Sequence, residues 1–269
     1  MKLAISTLGC PNWDFMRILK EYKALGVEGI EVRGLDGEMD AEKIVRFKDE
    51  NTAETLALVS EYGLTLAGFG SSVSFHDAAK FDSNMAAGKR TVDICAKLGF
   101  PSVRVFGDAI PDKEKTAEIT ARVIRGFTEL SAYAADKGIG VNMETHGDFH
   151  TAELMAPIVD ALIKQPAFGI LWDIEHSDKT YGADYRTFYN VIKPLVRHLH
   201  FKDYRRLADG KTECCAVGEG VIPLADIVAQ LTADGYNGYY SLEWEKKWHP
   251  ELEEPEVAFP HYVKFMRSL

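Results

Sequence analysis

The chain has 269 residues, of which 46% are hydrophobic and 27% charged, and its formal net charge at pH 7 is −10. These values are ordinary for a globular protein with one large core, and α/β barrels reach this size as a single domain. The acidic balance argues against a nucleic-acid binder, because such a protein needs a basic surface for phosphate groups.

The four cysteines, Cys10, Cys95, Cys214 and Cys215, form no CxxC pair. This spacing argues against a disulfide framework and against a cysteine-type zinc site. No apolar run approaches transmembrane length, and the N-terminus lacks the long apolar region of a signal peptide. We therefore expect a cytoplasmic protein with no membrane partner, in which Cys214 and Cys215 lie in a polar loop after the seventh strand.

Short strand-like runs alternate with longer amphipathic runs along the chain. The predicted strands are Leu3–Thr7, Gly29–Arg33, Leu64–Phe69, Ser102–Phe106, Gly140–Glu144, Gly169–Asp173, Val196–Lys202 and Tyr239–Glu243. The predicted helices are Phe15–Leu25, Ala53–Tyr62, Asn84–Leu98, Glu114–Lys137, Ala152–Lys164, Tyr185–Ile192 and Leu224–Asp234. The acidic segment from His249 to Pro260 contains three prolines and predicts a loop that leads to a last helix near His261–Leu269.

The alternation of strands and helices is typical of a parallel sheet. Eight such repeats predict a closed (β/α)8 TIM barrel that forms a single domain over residues 1–269. A doubly wound open sheet is the alternative, but no GxGxxG motif follows an early strand.

Ionisable side chains occupy alternate positions of several predicted strands. Alternate residues of a strand share one face, so His198, His200 and Lys202 point away from the side of Leu199 and Phe201. Most of the residues assigned to the barrel interior in this way lie at C-terminal strand ends, where barrel enzymes have their active sites. The others with this orientation are Glu31, Arg33, Asn142, Glu144, Asp173, Glu243 and Glu245.

Such groups inside buried strands need a partner, and a divalent cation is one, because carboxylate and imidazole are common metal ligands. Taken singly, each residue has a structural alternative, such as an ion pair or a histidine–carboxylate hydrogen bond. Taken together, two glutamates, an aspartate and a histidine on four consecutive strands predict a metal centre. Trp13 and other aromatic residues near strand ends predict either an apolar wall for a sugar or ordinary core packing.

Several motifs resemble the xylose-isomerase-like TIM-barrel superfamily, in particular its sugar isomerase/epimerase branch. They are Glu144-Thr-His, Asp173-Ile-Glu-His and His198-Leu-His-Phe-Lys-Asp, followed by Gly218-Glu-Gly-Val-Ile-Pro-Leu and Gly238-Tyr-Tyr-Ser-Leu-Glu. The resemblance covers essentially the whole chain. Its combination of motifs is specific for the superfamily and poorly specific for the substrate.

The resemblance implies one divalent metal ion held by Glu144, Asp173, His200 and Glu243. The family metal is Mn²⁺, Mg²⁺, Co²⁺ or Zn²⁺, and oxygen-rich ligation with one imidazole suits Mn²⁺ best. The resemblance also implies that His176, three residues after Asp173, contacts the substrate. The substrate-contacting arginine falls on Arg206, and a shift of one residue would exchange it for Arg205. We expect Lys202 and His146 to contribute further substrate contacts.

The implied activity is that of a sugar or polyol isomerase or epimerase working through an enediolate, with Glu144 and Glu243 as acid and base. His146 departs from the epimerase pattern and matches inosose-dehydratase-like members, so a dehydratase or lyase acting on an inosose or 3-oxo-sugar is the alternative. A catalytically silent sugar-binding barrel is less favoured, because all four ligand positions hold competent ligands. An endonuclease IV-like enzyme is also less favoured, because it needs three zinc ions and more histidines.

The sequence slightly favours an unphosphorylated substrate, because Glu219 lies within the one glycine-rich loop, Gly218–Gly220, and would repel phosphate. Dimers and tetramers are common in the resembled family, so a homo-oligomer is compatible with the resemblance.

Overall fold

The computed structural model describes residues 1–269 and shows a closed barrel of eight parallel strands. The barrel strands are β1 (Lys2–Ser6), β2 (Gly29–Val32), β3 (Thr65–Ser74), β4 (Ser102–Phe106), β5 (Gly140–Glu144), β6 (Phe168–Asp173), β7 (Val196–Phe201) and β10 (Tyr239–Leu242). An antiparallel hairpin of β8 (Asp203–Arg206) and β9 (Thr212–Cys215) lies outside the barrel. The strands pair in the order β1-β10-β7-β6-β5-β4-β3-β2, which confirms the predicted (β/α)8 TIM barrel.

Nine α-helices accompany the strands. They are α1 (Phe15–Leu25), α2 (Asp49–Glu61), α3 (Phe81–Leu98), α4 (Thr116–Ala135), α5 (Ala152–Leu162), α6 (Ile174–Tyr181), α7 (Arg186–Ile192), α8 (Leu224–Ala233) and α9 (Pro255–Arg267). Local sequence sets several of their ends: the Asp14 side chain accepts the backbone N–H of Arg17 at the start of α1, and Gly26 ends that helix at a φ of 71°. No helix is both long and apolar enough to cross a membrane.

Two predicted loops contain regular structure. The last helix begins at Pro255, within the segment predicted as a loop, because proline is well tolerated in the first turn of a helix. Cys214 and Cys215 lie in β9 and not in a polar loop, since this segment pairs with Asp203–Arg206 across the hairpin. The two strands of the hairpin are only four residues long and do not alternate between exposed and buried residues, so they carry no periodic signal that separates them from a loop.

Helix α6 was not predicted at all. It begins directly after β6, where the Asp173 side chain accepts the backbone N–H groups of Glu175 at 2.9 Å and His176 at 3.3 Å. A carboxylate at this position satisfies N–H groups that have no partner within the helix. The same aspartate therefore ends a strand, starts a helix and faces the barrel interior.

The outer faces of the strands carry the apolar core. Val141, Met143, Trp172 and Leu199 are completely buried on this side. Trp172 stacks on Tyr189 of α7 with ring centroids 5.1 Å apart. Because side chains alternate along each strand, this burial forces the intervening polar residues into the barrel.

The Asp203 side chain links the loop after the hairpin to the end of β7 through hydrogen bonds. Its carboxylate accepts four backbone N–H groups, at 2.9–3.2 Å, from Tyr204, Gly218, Gly220 and Ile222. A Cβ atom at position 220 would lie 2.0 Å from Asp203 Oδ1, so this close approach requires glycine. The Asp203 side chain therefore organises the loop that follows the hairpin.

Replacing Asp203 with alanine should lower the free energy of unfolding by about 3 kcal/mol, because several buried N–H groups lose their charged acceptor. Asp203→Asn, which keeps one oxygen, should lose less. Urea denaturation monitored by circular dichroism measures both changes. The matched control is Asp209→Ala in the exposed hairpin turn, where one N–H contact should be worth about 0.5 kcal/mol or less. Equal effects at the two positions would contradict the role given to Asp203.

Candidate metal centre

Four ionisable side chains meet at the C-terminal end of the barrel. Glu144 ends β5, Asp173 ends β6, His200 lies on β7 and Glu243 follows β10. One ligand atom from each lies within 4.8 Å of those of the others, and all four residues are buried. Nδ1 of His200 is 2.9 Å from Glu144 Oε1, 3.1 Å from Glu243 Oε2 and 4.0 Å from Asp173 Oδ2. The four predicted ligands therefore converge on one point.

The chemistry of this set fits a divalent cation. Three carboxylates and one imidazole supply hard oxygen ligands and one nitrogen. Oδ2 of Asp173 is buried and accepts no hydrogen bond, although Lys202 Nζ lies 2.9 Å away as a charge partner. Lys202 also lies 2.6 Å from Glu243 and 2.9 Å from Glu245, so one ammonium group is shared among three carboxylates. The cluster retains capacity for another positive charge.

The ionisation of the cluster reflects this crowding. Burial raises the pKa of Asp173, and the nearby charges of Glu243 and Glu144 add to the effect. Burial disfavours the charged form of His200, but the surrounding glutamates raise its pKa well above the ordinary value. For Glu144 burial is outweighed by Arg104 and His200, which lower its pKa to about 2. Most of these carboxylates are thus ionised at neutral pH and ready to act as ligands.

Glu31 and His198 form a hydrogen-bonded chain with the Nε2 atom of His200. Its Nε2 lies 2.7 Å from Glu31 Oε1, while the other Glu31 oxygen lies 2.8 Å from Nε2 of His198. Burial alone would raise the pKa of Glu31, but the two imidazoles hold it below the ordinary value. A carboxylate that accepts the Nε2–H of His200 leaves Nδ1 directed at Glu144 and Glu243. Glu31 therefore orients the imidazole for metal binding.

The cluster forms one wall of a cavity of about 230 Å³. Glu144 and Glu243 line it, and its other side chains include two arginines, two histidines and a tryptophan. These are Arg33, Arg104, His146, His249 and Trp248. Arg104 Nε lies 3.3 Å from Glu144 Oε2, and its guanidinium stacks 3.9 Å from the centroid of the Phe106 ring. The cavity thus joins the ligand cluster to a cationic wall.

His146 and His176 lie side by side near this cavity, with ring centroids 4.6 Å apart. Nε2 of His176 is 3.8 Å from Asp173 Oδ2. Burial and the charges of Lys202 and His146 lower the pKa of His176 to about 3, so this ring is neutral at physiological pH. Burial also disfavours a charge on His146, but Asp108, whose Oδ1 lies 3.4 Å away, and nearby carboxylates raise its pKa. The pKa values of the two histidines are therefore shifted in opposite directions.

Of the residues predicted or considered as substrate contacts, only His146 lines this cavity. Lys202 and His176 lie instead against the ligand cluster, next to Glu243 and Asp173. The other three lie elsewhere. Trp13 is buried against Phe259 of α9, with ring centroids 5.6 Å apart. Arg206 is exposed on the hairpin and donates to the Tyr204 hydroxyl at 3.0 Å. Arg205 is also exposed and pairs with Glu219 at 2.5 Å. A substrate contact from either arginine would need the hairpin to move toward the cavity.

Arg104 was not identified from the sequence, and Glu31 was placed in the interior without a role. The signal for Arg104 was present, because Val103 and Val105 flank it in β4 and face the apolar side. The contact between Glu31 and His200 joins residues 169 positions apart and carries no local signal. Only the closure of the barrel brings them together.

Known proteins resemble this chain in sequence pattern and in fold. Residues 19–269 match the family model of the xylose isomerase-like TIM barrel. No curated protein matches the sequence.

Solved structures share the fold at low sequence identity. The IOLI protein with a bound zinc atom has a TM-score of 0.81 at 18% identity, covering 99% of this chain and 96% of that one. A probable 3-DHS dehydratase from Bacillus anthracis has a TM-score of 0.79 at 18% identity, covering 99% of both chains. The 3-keto-D-glucoside 4-epimerase of E. coli has a TM-score of 0.76 at 17% identity over all of both chains.

Glu243→Gln should weaken Mn²⁺ binding at least about 100-fold, because a charged ligand is replaced by a neutral amide. Isothermal titration calorimetry on chelator-treated protein measures this change. The matched control is Glu245→Gln, which also removes a partner of Lys202 but lies outside the ligand set. Equal losses in the two variants would contradict the assigned ligands.

Glu31→Gln should weaken Mn²⁺ binding about 10- to 100-fold without unfolding the protein, because one amide oxygen cannot accept from both imidazoles. The same titration measures it, with thermal unfolding of the metal-free variant as the test of folding. Ser241→Ala, a buried neighbour of His200 across the β7–β10 ladder, is the control and should bind normally. Wild-type affinity in Glu31→Gln would contradict the orienting role. A stoichiometry of two ions in the wild type would instead make Glu31 a ligand of a second metal.

Proposed function

We propose that this chain, which belongs to the xylose isomerase-like TIM barrel family, is a divalent-metal-dependent isomerase or epimerase of a sugar or polyol. The observation that carries the proposal is the convergence of two buried carboxylates, Glu144 and Glu243, on one ligand point beside Nδ1 of His200. They come from β5 and from the end of β10, which are separated in the barrel by β6 and β7. A substrate held between them would meet one carboxylate on each face.

The residues present fit a divalent cation held by Glu144, Asp173, His200 and Glu243. Three oxygen donors and one imidazole favour Mn²⁺ among the family metals. When bound, the ion would supply positive charge that stabilises negative charge developing on neighbouring carbonyl and hydroxyl oxygens.

The chemistry of the side chains themselves is proton transfer. One of the two glutamates, in its ionised form, removes a proton from the carbon next to the carbonyl. The other glutamate first takes up a proton from solvent and then transfers it to the enediolate. Arg104, which contacts Glu144, and Lys202, which contacts Glu243, lower the basicity of these carboxylates but stabilise the charge that develops beside them. His176, neutral and next to Asp173, can hydrogen-bond a substrate hydroxyl as donor or acceptor.

The environment of the glycine-rich loop supports an unphosphorylated substrate. The backbone N–H groups of Gly218 and Gly220 are both taken by the Asp203 carboxylate. A phosphate group would have to compete with this internal anion, and Glu219 adds a further negative charge. This loop therefore does not offer a free phosphate cradle.

His146 favours a second candidate, a dehydratase acting on an inosose or a 3-oxo-sugar. It lines the cavity beside Glu144, and its pKa is raised by Asp108 and nearby carboxylates despite burial. A protonated imidazole at this position can donate a proton to a departing hydroxyl group after the same first deprotonation. One of the proteins with this fold is a probable 3-DHS dehydratase, which is compatible with this alternative.

Deuterium uptake distinguishes the two candidates. The Mn²⁺-loaded protein in D₂O with ketoses, inososes and 3-oxo-glucosides should exchange a carbon-bound proton next to the carbonyl, as measured by NMR. An isomerase or epimerase returns a rearranged sugar with all of its hydroxyls, whereas a dehydratase releases water. Glu144→Gln and Glu243→Gln at saturating metal should lower the exchange at least about 1000-fold. Glu213→Gln on the exposed hairpin is the control. Exchange retained in both active-site variants would refute the acid and base assignment.

A further inference from the structure

Two buried arginines line the cavity without belonging to the four candidate metal ligands. Arg33 directly follows β2 and Arg104 lies on β4, and both are at least nine-tenths buried. The guanidinium nitrogen Nη1 of Arg33 has no hydrogen-bond partner, and neither Nε nor Nη1 of Arg104 has one. Nε of Arg104 at least has Glu144 Oε2 as a charge partner at 3.3 Å. Buried guanidinium groups normally satisfy their N–H donors, so the two Nη1 nitrogens need an explanation.

The backbone of β3 brings these two side chains together. Gly70 lies between them, and a Cβ atom at this position would come within 2.7 Å of Arg33 Cδ and 3.0 Å of Arg104 Nη2. Only a residue without a side chain leaves room for both guanidinium groups. Burial and the charge of Arg104 lower the pKa of Arg33 to about 10, so the two groups repel each other while both remain charged at neutral pH.

The surroundings compensate this charge incompletely. Arg104 has Glu144 at 3.3 Å, but Glu144 is shared with His200 and belongs to the metal ligands. Arg33 makes one side-chain hydrogen bond, from Nη2 to the hydroxyl of Ser72 at 3.1 Å, and this partner is uncharged. A pair of adjacent guanidinium groups with free donors matches the planar, bidentate geometry of a carboxylate.

We infer that Arg33 and Arg104 form a subsite for an anionic oxygen group of the substrate, a carboxylate, so that the substrate is an acidic keto-sugar or keto-acid. This inference rests on the proposed function, since the subsite and the acid–base pair share one cavity. The carboxylate would accept N–H groups that otherwise have no partner and would relieve the repulsion between the arginines. Contact between Arg104 and Glu144 places the anion close to the carbon that loses its proton.

Matched substrate pairs test the subsite. In each pair a carboxylate replaces a hydroxymethyl group: hydroxypyruvate against dihydroxyacetone, and D-fructuronate against D-fructose, with D-fructose 6-phosphate as the phosphate counterpart. The Mn²⁺-loaded wild type should exchange a carbon-bound proton for deuterium in at least one of the two carboxylate compounds. The kcat/KM of this exchange should be about 30-fold or more above that of the neutral partner. Arg33→Met should remove most of this ratio, and Arg33→Lys should restore part of it. Arg186→Met on the exposed face of α7, where the arginine pairs with Asp226, should leave the ratio as in the wild type.

Calorimetric binding of the same compounds separates failure of the subsite from failure of the proposed function. Carboxylate binding that depends on Arg33, without any exchange, would support the subsite and refute the proton-transfer function. Exchange of neutral sugars at equal or higher kcat/KM, with a ratio unchanged in Arg33→Met, would support the function and overturn the subsite. Preference for the phosphate over the carboxylate would also overturn it.

Discussion

The packing of three carboxylates around one imidazole is the constraint that the rest of the barrel accommodates. Ionised carboxylates in a buried site repel one another and lose their hydration, and both effects are costly unless cations lie close by. Lys202 and Arg104 provide part of the compensation from opposite sides of the cluster. This arrangement supports the proposed metal centre, because a divalent cation would neutralise more of the carboxylate charge than a monovalent one.

The parallel barrel explains how such a cluster can form. Each parallel strand ends on the same side of the barrel, so a polar residue at its last position meets those of its neighbours. The register places Asp173 opposite His200 across β6 and β7. Apolar packing outside the barrel, such as Trp172 against Tyr189, fixes which strand face points inward. The stability of the outer core thereby sets the geometry of the inner site.

Much of the fold and of the candidate metal centre could be predicted from the sequence alone, because the alternation of side chains along a strand is a local pattern. Asp173, His200 and Glu243 each lie between two apolar residues, and Glu144 follows the apolar Met143. The convergence of the four follows from barrel closure. Helix α6 was not predicted because its N-cap, the candidate ligand Asp173, is also the last residue of β6, so no turn residues separate the strand from the helix. The hairpin was not predicted because its two four-residue strands show no alternation, and the loop after it is held by Asp203 contacts with residues up to 19 positions away.

The charged residues at the C-terminal end of the barrel fall into two groups, one on each half of the ring of strands. The four candidate ligands come from β5, β6, β7 and β10, whereas Arg33 and Arg104 belong to the β2 and β4 side, with glycine on β3 between them. A neutral sugar would use only the first half and leave the guanidinium donors unpaired, at the cost of two buried charges. A molecule with carbonyl and hydroxyl oxygens at one end and an anion at the other would use both. The position of Glu144, in contact with His200 on one side and Arg104 on the other, makes it the residue at which the two halves meet.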